Sequence, residues 1–247
     1  MLIEFKAVKK EYGKTKALED LSFNINTNDF VGLVGNNGCG KTTTIHCMCN
    51  LIKYDAGEIS VFGRKVEPNY VSYKNMLGIL LDKHYFVEEF NVKEYWKFVC
   101  KFQGVSKKEA NQRIEDLLSL LGLEKDCKMK IQNLSSGNQM KVSLGAALIH
   151  NPEILILDEP FIHLDIKTTE KIISILKSFK NKKTLFITSH NLDLIADLCD
   201  TFLIMENGKI QMQFKKSEFE DINSLKNTVK KLLAKDNIIN DISWLNS

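Results

Sequence analysis

The chain has 247 residues, a hydrophobic content of 44% and a formal net charge of +3 at pH 7. This length fits one large domain, or one domain with an inserted subdomain, and the apolar content is sufficient for a packed core. Arginine occurs only at Arg64 and Arg113. A nucleic-acid-binding protein needs a concentrated basic surface, so we expect no nucleic-acid partner.

The first residues and the cysteines indicate the compartment. The opening segment has Glu4 near its start and no uninterrupted apolar region of the kind found in secretory signals. No apolar run approaches the length that spans a bilayer, so we expect a soluble protein whose membrane role, if any, comes through a partner. The six cysteines include no CxxC pair and are predicted to be reduced thiols in a cytosolic chain. Cys47 and Cys49 cannot both coordinate one metal ion from a helix, because residues two apart face different directions. We therefore expect both side chains to pack in the core.

Two segments of alternating apolar and polar residues, 2–8 and 21–25, open the predicted fold. The turn signal Tyr12-Gly13 lies between them, as expected for antiparallel strands joined by a turn. The further elements predicted up to residue 81 are an apolar strand ending at Val34, a helix over about 41–51, and strands over 58–62 and 76–81.

Helical periodicity between residues 92 and 121 predicts a helical insert, which we place at about 91–140. The elements predicted beyond it are a helix over about 135–150, a strand over 154–157, a helix after Ile166, a strand over 184–188, and two strands around Met205 and Ile210. Buried strands that alternate with helices indicate an α/β fold with a central, mostly parallel sheet covered on both faces.

Residues 35–43, GNNGCGKTT, follow an apolar strand and precede a helix. They match the phosphate-binding motif G-x-x-x-x-G-K-[ST], whose backbone N–H groups and helix N-terminus bind a β-phosphate. Lys41 would bridge the β- and γ-phosphates, and the Thr42 hydroxyl would bind Mg²⁺. An ordinary strand-to-helix turn explains the glycines but not the Lys-Thr pair. The predicted ligand-binding residues of this loop are Gly35, Asn36, Asn37, Gly38, Cys39, Gly40, Lys41, Thr42 and Thr43.

A second apolar strand, 154–157, ends in the acidic pair Asp158-Glu159. Ligands of open α/β sheets bind at the carboxyl ends of the strands, so this pair should lie beside the phosphate loop. Asp158 would hold Mg²⁺ through water, and Glu159 would polarise the attacking water of a phosphoryl-transfer reaction. A charged strand end that only faces solvent is the alternative, and it explains a pair on a central strand poorly.

At this point the sequence resembles the nucleotide-binding subunit of an ABC transporter, from residue 2 to about residue 210. Leu134-Ser135-Ser136-Gly137-Asn138 is similar to the family's LSGGQ signature, at the start of a predicted helix. The resemblance implies that ATP binds between two such subunits, either two copies of this chain or one copy and a related ATPase. Ser135 and Gly137 of one subunit would face the γ-phosphate held by the other. The implied fold is a P-loop NTPase of ABC type, with an antiparallel β subdomain beside the parallel sheet.

Three further motifs resemble the family pattern. Residues 161–165 are similar to the D-loop, with bulkier residues before Leu164-Asp165. Thr188-Ser189-His190 resembles the switch motif, which implies that His190 senses the γ-phosphate, although a lone histidine at a strand end is usually unremarkable. Tyr12 resembles the aromatic residue that stacks on adenine; a core tyrosine before a turn is the alternative.

The sequence departs from the family pattern at several positions. Asp82 stands where a glutamine is usual, and it could still touch Mg²⁺ directly or through water. Ser136 and Asn138 replace a glycine and a glutamine of the signature, from which we expect weaker closure of the dimer. Cys39 lies next to a helix N-terminus that would favour its thiolate, but we prefer the interpretation that it simply fills a small space.

The resemblance implies a transmembrane permease subunit as partner, and hence a position at the inner face of the cell membrane. The aromatic stretch 84–98 is the expected contact, with Phe86 and Phe90 predicted to be exposed. We assign residues 1–221 to the ATPase domain and 222–247 to a C-terminal helical tail, for which a docked surface helix is favoured over a membrane-binding one. The short tail and the 78–82 segment favour export over import.

Two other functions remain open from the sequence. One is a soluble ABC-type ATPase that acts on a ribosome or nucleic-acid complex, although the chain has neither a second such domain nor a long coiled coil. The other is a module that senses ATP without hydrolysing it. Glu159 argues against this second function, because a silent site has no need of a water-polarising carboxylate.

Overall fold

The computed structural model describes residues 1–70, 72–83, 85–162 and 164–233. Its strands are β1 (Ile3–Tyr12), β2 (Thr15–Ile25), β3 (Phe30–Val34), β4 (Ala56–Val61), β5 (Arg64–Lys65), β6 (Leu77–Leu80), β7 (Ile154–Asp158), β8 (Thr184–Ser189), β9 (Thr201–Glu206) and β10 (Lys209–Lys215). Its α-helices are α1 (Lys41–Met48), α2 (Val92–Phe102), α3 (Lys107–Leu121), α4 (Ser136–Leu148), α5 (Ile166–Lys177), α6 (Leu192–Ile195) and α7 (Ile222–Leu233).

The central sheet has six strands in the order β10-β9-β3-β8-β7-β6. Five of these strands run parallel to one another, and β10 closes one edge antiparallel to β9. Every residue of β3, β7 and β8 is buried, as expected for parallel strands covered on both faces. The carboxyl ends of β3, β6, β7 and β8 therefore lie along one edge of the sheet.

A second sheet has four antiparallel strands in the order β2-β1-β4-β5. Strand β4 pairs with β1, so the strand predicted over 58–62 belongs to this sheet and not to the parallel one. Strand β2 also passes close to the phosphate-binding loop, because the carbonyl oxygen of Ala17 lies 2.5 Å from the point that a Cβ on Gly40 would occupy. The antiparallel sheet thus forms a wall beside the loop.

The helical insert is held to α4 by a buried tryptophan. Trp96 of α2 is fully buried and donates a hydrogen bond of 2.9 Å from Nε1 to the carbonyl oxygen of Val142. The ring packs against Gly145, where any side chain would collide with it. Arg113 of α3 adds a bond of 2.9 Å to the carbonyl oxygen of Ile149, just after α4. Helix α4 is therefore fixed between the insert and the central sheet.

Two apolar cores lie on the two faces of the parallel sheet. One contains the insert together with α4, α5 and α6, and the other joins the antiparallel sheet to α1. Cys47 and Cys49 are fully buried in the second core, as predicted. The predicted α/β architecture, with a mostly parallel sheet, an antiparallel subdomain and a helical insert, is confirmed.

Several boundaries differ from the prediction. Strand β1 continues through the charged residues 9–11, because both of its neighbours pair with it there. Helix α1 ends at Met48 and not near residue 51. The short helix α6 was not predicted, since four residues are too few to show a period.

The prediction that Phe86 and Phe90 are exposed is wrong. Both are half-buried: Phe86 packs against the core, and the Phe90 ring lies 5.8 Å from that of Phe98. In this part of the chain Tyr85, Phe98 and Phe102 are exposed instead, with 72%, 39% and 73% of their surface accessible. His84, the first residue of the predicted aromatic stretch, lies outside the described residues.

Helix α7 docks on the domain, as favoured from the sequence. Val229 is buried, and Lys226 forms an ion pair of 2.8 Å with Asp193 of α6. The predicted tail beyond residue 233, including Lys235, lies outside the described residues. None of the helices in the described part of the chain is both long and apolar enough to cross a membrane.

Candidate functional site

The loop of residues 35–43, called the P-loop here, connects β3 to α1 and depends on its glycines. Gly40 precedes the helix with a φ of 114°, and Gly38 has a φ of 80°, both in the region that favours glycine. A Cβ on Gly35 would lie 2.3 Å from the carbonyl oxygen of Met205 on β9. The loop is therefore packed directly against the sheet, with the N-terminus of α1 at its end.

Lys41 lies inside this loop and is only 6% exposed. Its Nζ donates hydrogen bonds of 2.9 Å to the carbonyl oxygen of Gly35 and 3.2 Å to that of Asn36. The same atom lies 3.5 Å from Oε1 of Glu159, at the end of β7. The ammonium group thus stands between the loop backbone and the acidic strand end, where it can exchange its carbonyl partners for an anionic ligand.

Asp158 is completely buried and accepts hydrogen bonds from two threonines. Oδ2 accepts one of 2.7 Å from the Thr42 hydroxyl, and Oδ1 accepts a short one from the Thr188 hydroxyl. Burial raises the pKa of the Asp158 carboxyl, the two hydrogen bonds oppose that rise, and the charges of Asp82 and Glu159 add to it. A nearby cation would therefore stabilise the ionised form of Asp158.

Glu159 has a left-handed backbone, with a φ of 48°, which is unusual for a residue other than glycine. Its N–H donates a hydrogen bond of 3.0 Å to the Thr188 hydroxyl. Its Oε2 lies 3.0 Å from Nδ1 of His190, while Oε1 is buried and makes no hydrogen bond within the described part of the chain. His190 thus holds Oε2, while Oε1 lies 3.5 Å from the Lys41 ammonium without a hydrogen bond in the described residues and can accept one from water.

His190 follows β8, next to β7 in the sheet, and is half-exposed. The end of β8 therefore places it beside Glu159, as predicted. Asp82, just beyond β6, is exposed, and its Oδ1 accepts a hydrogen bond from the Lys83 N–H. The charge of Asp82 still contributes to the raised pKa of Asp158. The ends of β6, β7 and β8 thus bring Asp82, Asp158 and His190 to one edge of the sheet.

Tyr12 ends β1 and is half-exposed, so the alternative of a core tyrosine is wrong. It pairs with Thr15 at the start of β2, two residues before Ala17, which lies against Gly40. The Lys10 ammonium lies 5.4 Å from the Tyr12 ring centroid. The ring is thus presented on the hairpin that borders the P-loop.

Ser135 and Gly137 lie elsewhere, at the N-terminus of α4. The Ser135 hydroxyl accepts a hydrogen bond of 3.2 Å from the Asn138 N–H and caps the helix. Among the residues that the structure describes, no hydrogen bond or ion pair joins Ser135 or Gly137 to the P-loop. Within the described residues, one copy of the chain therefore joins the P-loop to Asp158, Glu159 and His190 through hydrogen bonds and an ion pair, but not to Ser135 and Gly137.

The sequence analysis missed two contributors. Thr188 bonds both acidic residues, although it was noted only as part of the switch motif. Its position could have been found by asking which residue of the neighbouring strand faces Asp158, because these two are register partners. Asp126 accepts a hydrogen bond of 2.8 Å from the side chain of Asn138, the residue that replaces the glutamine of the signature. That contact has no sequence signal.

The suggestion of a reactive thiolate at Cys39 is wrong. Its side chain is 7% exposed, and burial raises the pKa of the thiol more than the nearby Lys41 charge lowers it. The sulfur lies 2.6 Å from the point that a Cβ on Gly35 would occupy. Cys39 therefore fills a small space behind the loop.

Comparison with known proteins identifies the family. The ABC transporter family model matches residues 18–162. The linearmycin resistance ATP-binding protein LnrL of Bacillus subtilis is 31% identical over 210 residues, which is 85% of this chain and 68% of that protein. The methionine import ATP-binding protein MetN of Clostridioides difficile is 30% identical over 246 residues, covering 96% and 75%. The Nod factor export ATP-binding protein I of Burkholderia orbicola is 31% identical over 208 residues, covering 84% and 68%.

Solved structures share the fold. An ATP-binding subunit of an ABC transporter superimposes with a TM-score of 0.85 at 25% identity, covering 95% of this chain and all of that one. A bacterial ABC transporter cassette solved as a dimer gives a TM-score of 0.81 at 26% identity, covering 87% of this chain and 99% of that one. The chain belongs to the ABC transporter family and is an ATP-binding, ATP-hydrolysing subunit within it.

Proposed function

We propose that the P-loop of this chain binds the phosphates of ATP and that Glu159 and His190 promote hydrolysis at the edge formed by β3, β7 and β8. The observation that carries this proposal is one connected set of contacts. Lys41 faces Glu159 at 3.5 Å, Glu159 contacts His190 at 3.0 Å, and Thr42 donates to Asp158 at 2.7 Å. A phosphate-binding lysine, a carboxylate and a histidine are thus within reach of one substrate.

ATP binding uses groups that the P-loop already orients. The backbone N–H groups of the P-loop and the N-terminus of α1 attract the β-phosphate. Lys41 exchanges its bonds to the carbonyl oxygens of Gly35 and Asn36 for phosphate oxygens. Tyr12 stacks on the adenine. Stacking of a base on an aromatic side chain stabilises binding by roughly 1–3 kcal/mol in nucleic-acid sites, and we expect a similar magnitude here.

The residues at the end of the P-loop fit Mg²⁺, which prefers oxygen ligands and usually takes only one or two from protein together with substrate phosphates. Thr42 offers a hydroxyl oxygen and Asp158 a carboxylate, and Asp82 lies near enough to contribute through water. When bound, the ion neutralises charge that develops on the phosphates. The Thr42 hydroxyl would bind the ion through its oxygen and could still donate its hydrogen bond to Asp158.

Glu159 polarises the attacking water through Oε1, the oxygen that has no hydrogen bond in the described residues. Oε2 stays with His190, which fixes the carboxylate. Since an ionised carboxylate only accepts hydrogen bonds, Nδ1 of His190 carries the proton of that contact. Nε2 is not used by that contact and is available to the γ-phosphate.

A second copy completes the site. Ser135 and Gly137 are at an exposed or half-exposed helix N-terminus, which favours an anion. Within the described residues they form no hydrogen bond or ion pair with the P-loop of their own copy, so they are available to the γ-phosphate of a facing one. The dimeric cassette among the solved relatives supports this arrangement.

The membrane partner is proposed to be a separate permease that binds at the helical insert and holds the subunit at the inner face of the cell membrane. A groove of about 230 Å³ lies between the insert and the core, with the exposed Tyr85 at its rim. Its other lining residues include Leu51, Ile79, Leu81, Tyr95 and Ala146. An apolar, aromatic groove of this kind suits a short amphipathic helix.

Export is the proposed direction, on the basis of the 78–82 segment and of the relative named for Nod factor export. The methionine import relative argues the other way. Deletion of the gene should raise the sensitivity of its host to at least one compound in an antibiotic panel. Unchanged sensitivity together with lost uptake of a nutrient would reverse the direction.

The proposed roles are tested with Glu159→Gln, which keeps the shape of the side chain and removes its basicity. Removing one such electrostatic group commonly lowers turnover by roughly 10²–10³. We expect ATP hydrolysis to be nearly abolished while the affinity for ATP is retained. Near-normal turnover in this variant would reject the role of Glu159.

A further inference from the structure

We propose that the Thr188 hydroxyl is a positioning group that fixes Asp158 and the backbone of Glu159 relative to each other. This inference rests on the proposed function, because it concerns the geometry of the two acidic residues to which roles in metal binding and hydrolysis were given above. Thr188 itself touches neither substrate nor metal. Its effect is exerted entirely through its two neighbours on β7.

The hydroxyl makes two bonds of opposite direction. It donates to Oδ1 of Asp158 and accepts a hydrogen bond of 3.0 Å from the Glu159 N–H. A hydroxyl has one donor and two acceptor sites, so it can make both bonds at once. Thr188 is completely buried, and no water competes for either bond.

The sheet determines which residue can do this. Asp158 and Thr188 are register partners on the parallel strands β7 and β8. The N–H of Glu159, one position further along, lies beyond the end of β7 and bonds no backbone carbonyl among the residues that the structure describes. The threonine hydroxyl takes the place of that missing partner, as a buried N–H requires.

The position of Glu159 makes the bond important for catalysis. Its φ of 48° is a costly conformation for a residue with a side chain, and such backbones persist only where their surroundings hold them. Without an acceptor for the N–H, the backbone can relax towards an ordinary conformation and carry the carboxylate away from His190. At the same time Asp158 would retain only its bond from Thr42.

Thr188→Val tests the proposal, because it removes the hydroxyl and preserves the volume and branching. Loss of a residue that orients a ligating or catalytic group typically costs about 10–100-fold in activity or metal affinity. We expect kcat to fall by about that factor with the KM for ATP little changed. We also expect the affinity for a fluorescent ATP analogue to be normal in EDTA but to gain less from added Mg²⁺ than in the wild type.

Two further variants separate positioning from general stability. Thr188→Ser keeps the hydroxyl and is expected to restore most of kcat and the Mg²⁺ gain. Thr184→Val is the matched control on the same strand: Thr184 is also buried, and its hydroxyl accepts a hydrogen bond of 2.9 Å from the Asn28 N–H, at the opposite end of β8. It should lower stability without changing kcat or the Mg²⁺ gain.

The outcomes distinguish this inference from the proposed function. If wild type hydrolyses ATP and Thr188→Val behaves like Thr184→Val, or if Thr188→Ser restores nothing, the inference is overturned while the function stands. If wild type itself neither binds nor hydrolyses ATP, the proposed function fails. Should Thr188→Val not fold, Thr188→Cys replaces it, since a thiol of similar size is a much weaker hydrogen-bonding group and the same losses are expected.

Discussion

Nδ1 of His190 and Oε2 of Glu159 are 3.0 Å apart, so the histidine and the carboxylate form one unit across the ends of β8 and β7. Residues that act as a unit have effects that do not add. We predict that His190→Ala lowers kcat for ATP hydrolysis by roughly 10²–10³, as expected for one preorganised polar group, with ATP binding retained. Steady-state kinetics and nucleotide titration measure both quantities.

The double variant Glu159→Gln/His190→Ala is the control for this prediction. Its kcat is expected to be close to that of Glu159→Gln alone. A double variant slower by the product of the two single effects would show that the two residues work independently.

The second prediction compares two P-loop glycines with different surroundings. Gly38 and Gly40 both have positive φ. An alanine at such a position lowers the free energy of unfolding by roughly 1–2 kcal/mol through backbone strain alone. A Cβ on Gly38 meets nothing within 4 Å, whereas one on Gly40 would lie 2.5 Å from the Ala17 carbonyl oxygen. Urea unfolding should therefore show Gly40→Ala to be clearly less stable than Gly38→Ala. Equal stability of the two variants would contradict the close packing of β2 against Gly40.

The third prediction concerns Cys39. Because burial raises the pKa of its thiol, the fraction of reactive thiolate at neutral pH is small. Iodoacetamide should modify Cys39 much more slowly in the folded protein than in the urea-unfolded one, and ATP should slow the reaction further. Mass spectrometry of the peptide follows both rates. Equal rates in the folded and unfolded states would contradict the burial, and the Cys39→Ser variant is expected to keep its affinity for ATP.

The fourth prediction is a pH dependence from His150. Burial lowers the pKa of this imidazole below its ordinary value of 6.5, and Nε2 contacts the Leu77 carbonyl oxygen at 3.0 Å. The unfolded chain therefore takes up the proton first, so the contribution of His150 to stability is present above pH 6.5 and is lost as the pH falls below it.

His150→Gln keeps a hydrogen-bond donor for Leu77 but does not titrate. The free energy of unfolding of the wild type should fall more between pH 7 and mildly acidic pH than that of His150→Gln. Parallel curves for the two proteins would show that His150 is not the group responsible.

Much of the site could be predicted from sequence because its chemistry lies at the ends of buried strands. The apolar runs before Gly35 and Asp158 identify central strands, and parallel strands end at a common edge. That rule and the phosphate-loop motif predicted the approach of Lys41 to the acidic pair Asp158-Glu159, and the resemblance to the switch motif added His190. The distances in the structure agree with these expectations.

Other features depend on which strands are neighbours, and composition does not reveal that. The role of Thr188 requires β8 to lie beside β7 in one particular register. The pairing of β4 with β1 likewise joins residues far apart in sequence, such as Ile3 with Val61. The error over Phe86 and Phe90 has the same origin, since their burial depends on contacts with the core and with Phe98 that composition does not reveal.

The central claim is that ATP binds between two copies, with the P-loop of one facing Ser135 of the other. Analytical ultracentrifugation of the Glu159→Gln protein with Mg²⁺ and ATP tests it, with Ser135→Arg added in one variant and Ser106→Arg, at the corresponding cap of α3, in a matched one. We predict that ATP converts Glu159→Gln and its Ser106→Arg derivative to dimers, while the Ser135→Arg derivative binds ATP and stays monomeric. A Glu159→Gln protein that is saturated with ATP and remains a monomer would contradict the account.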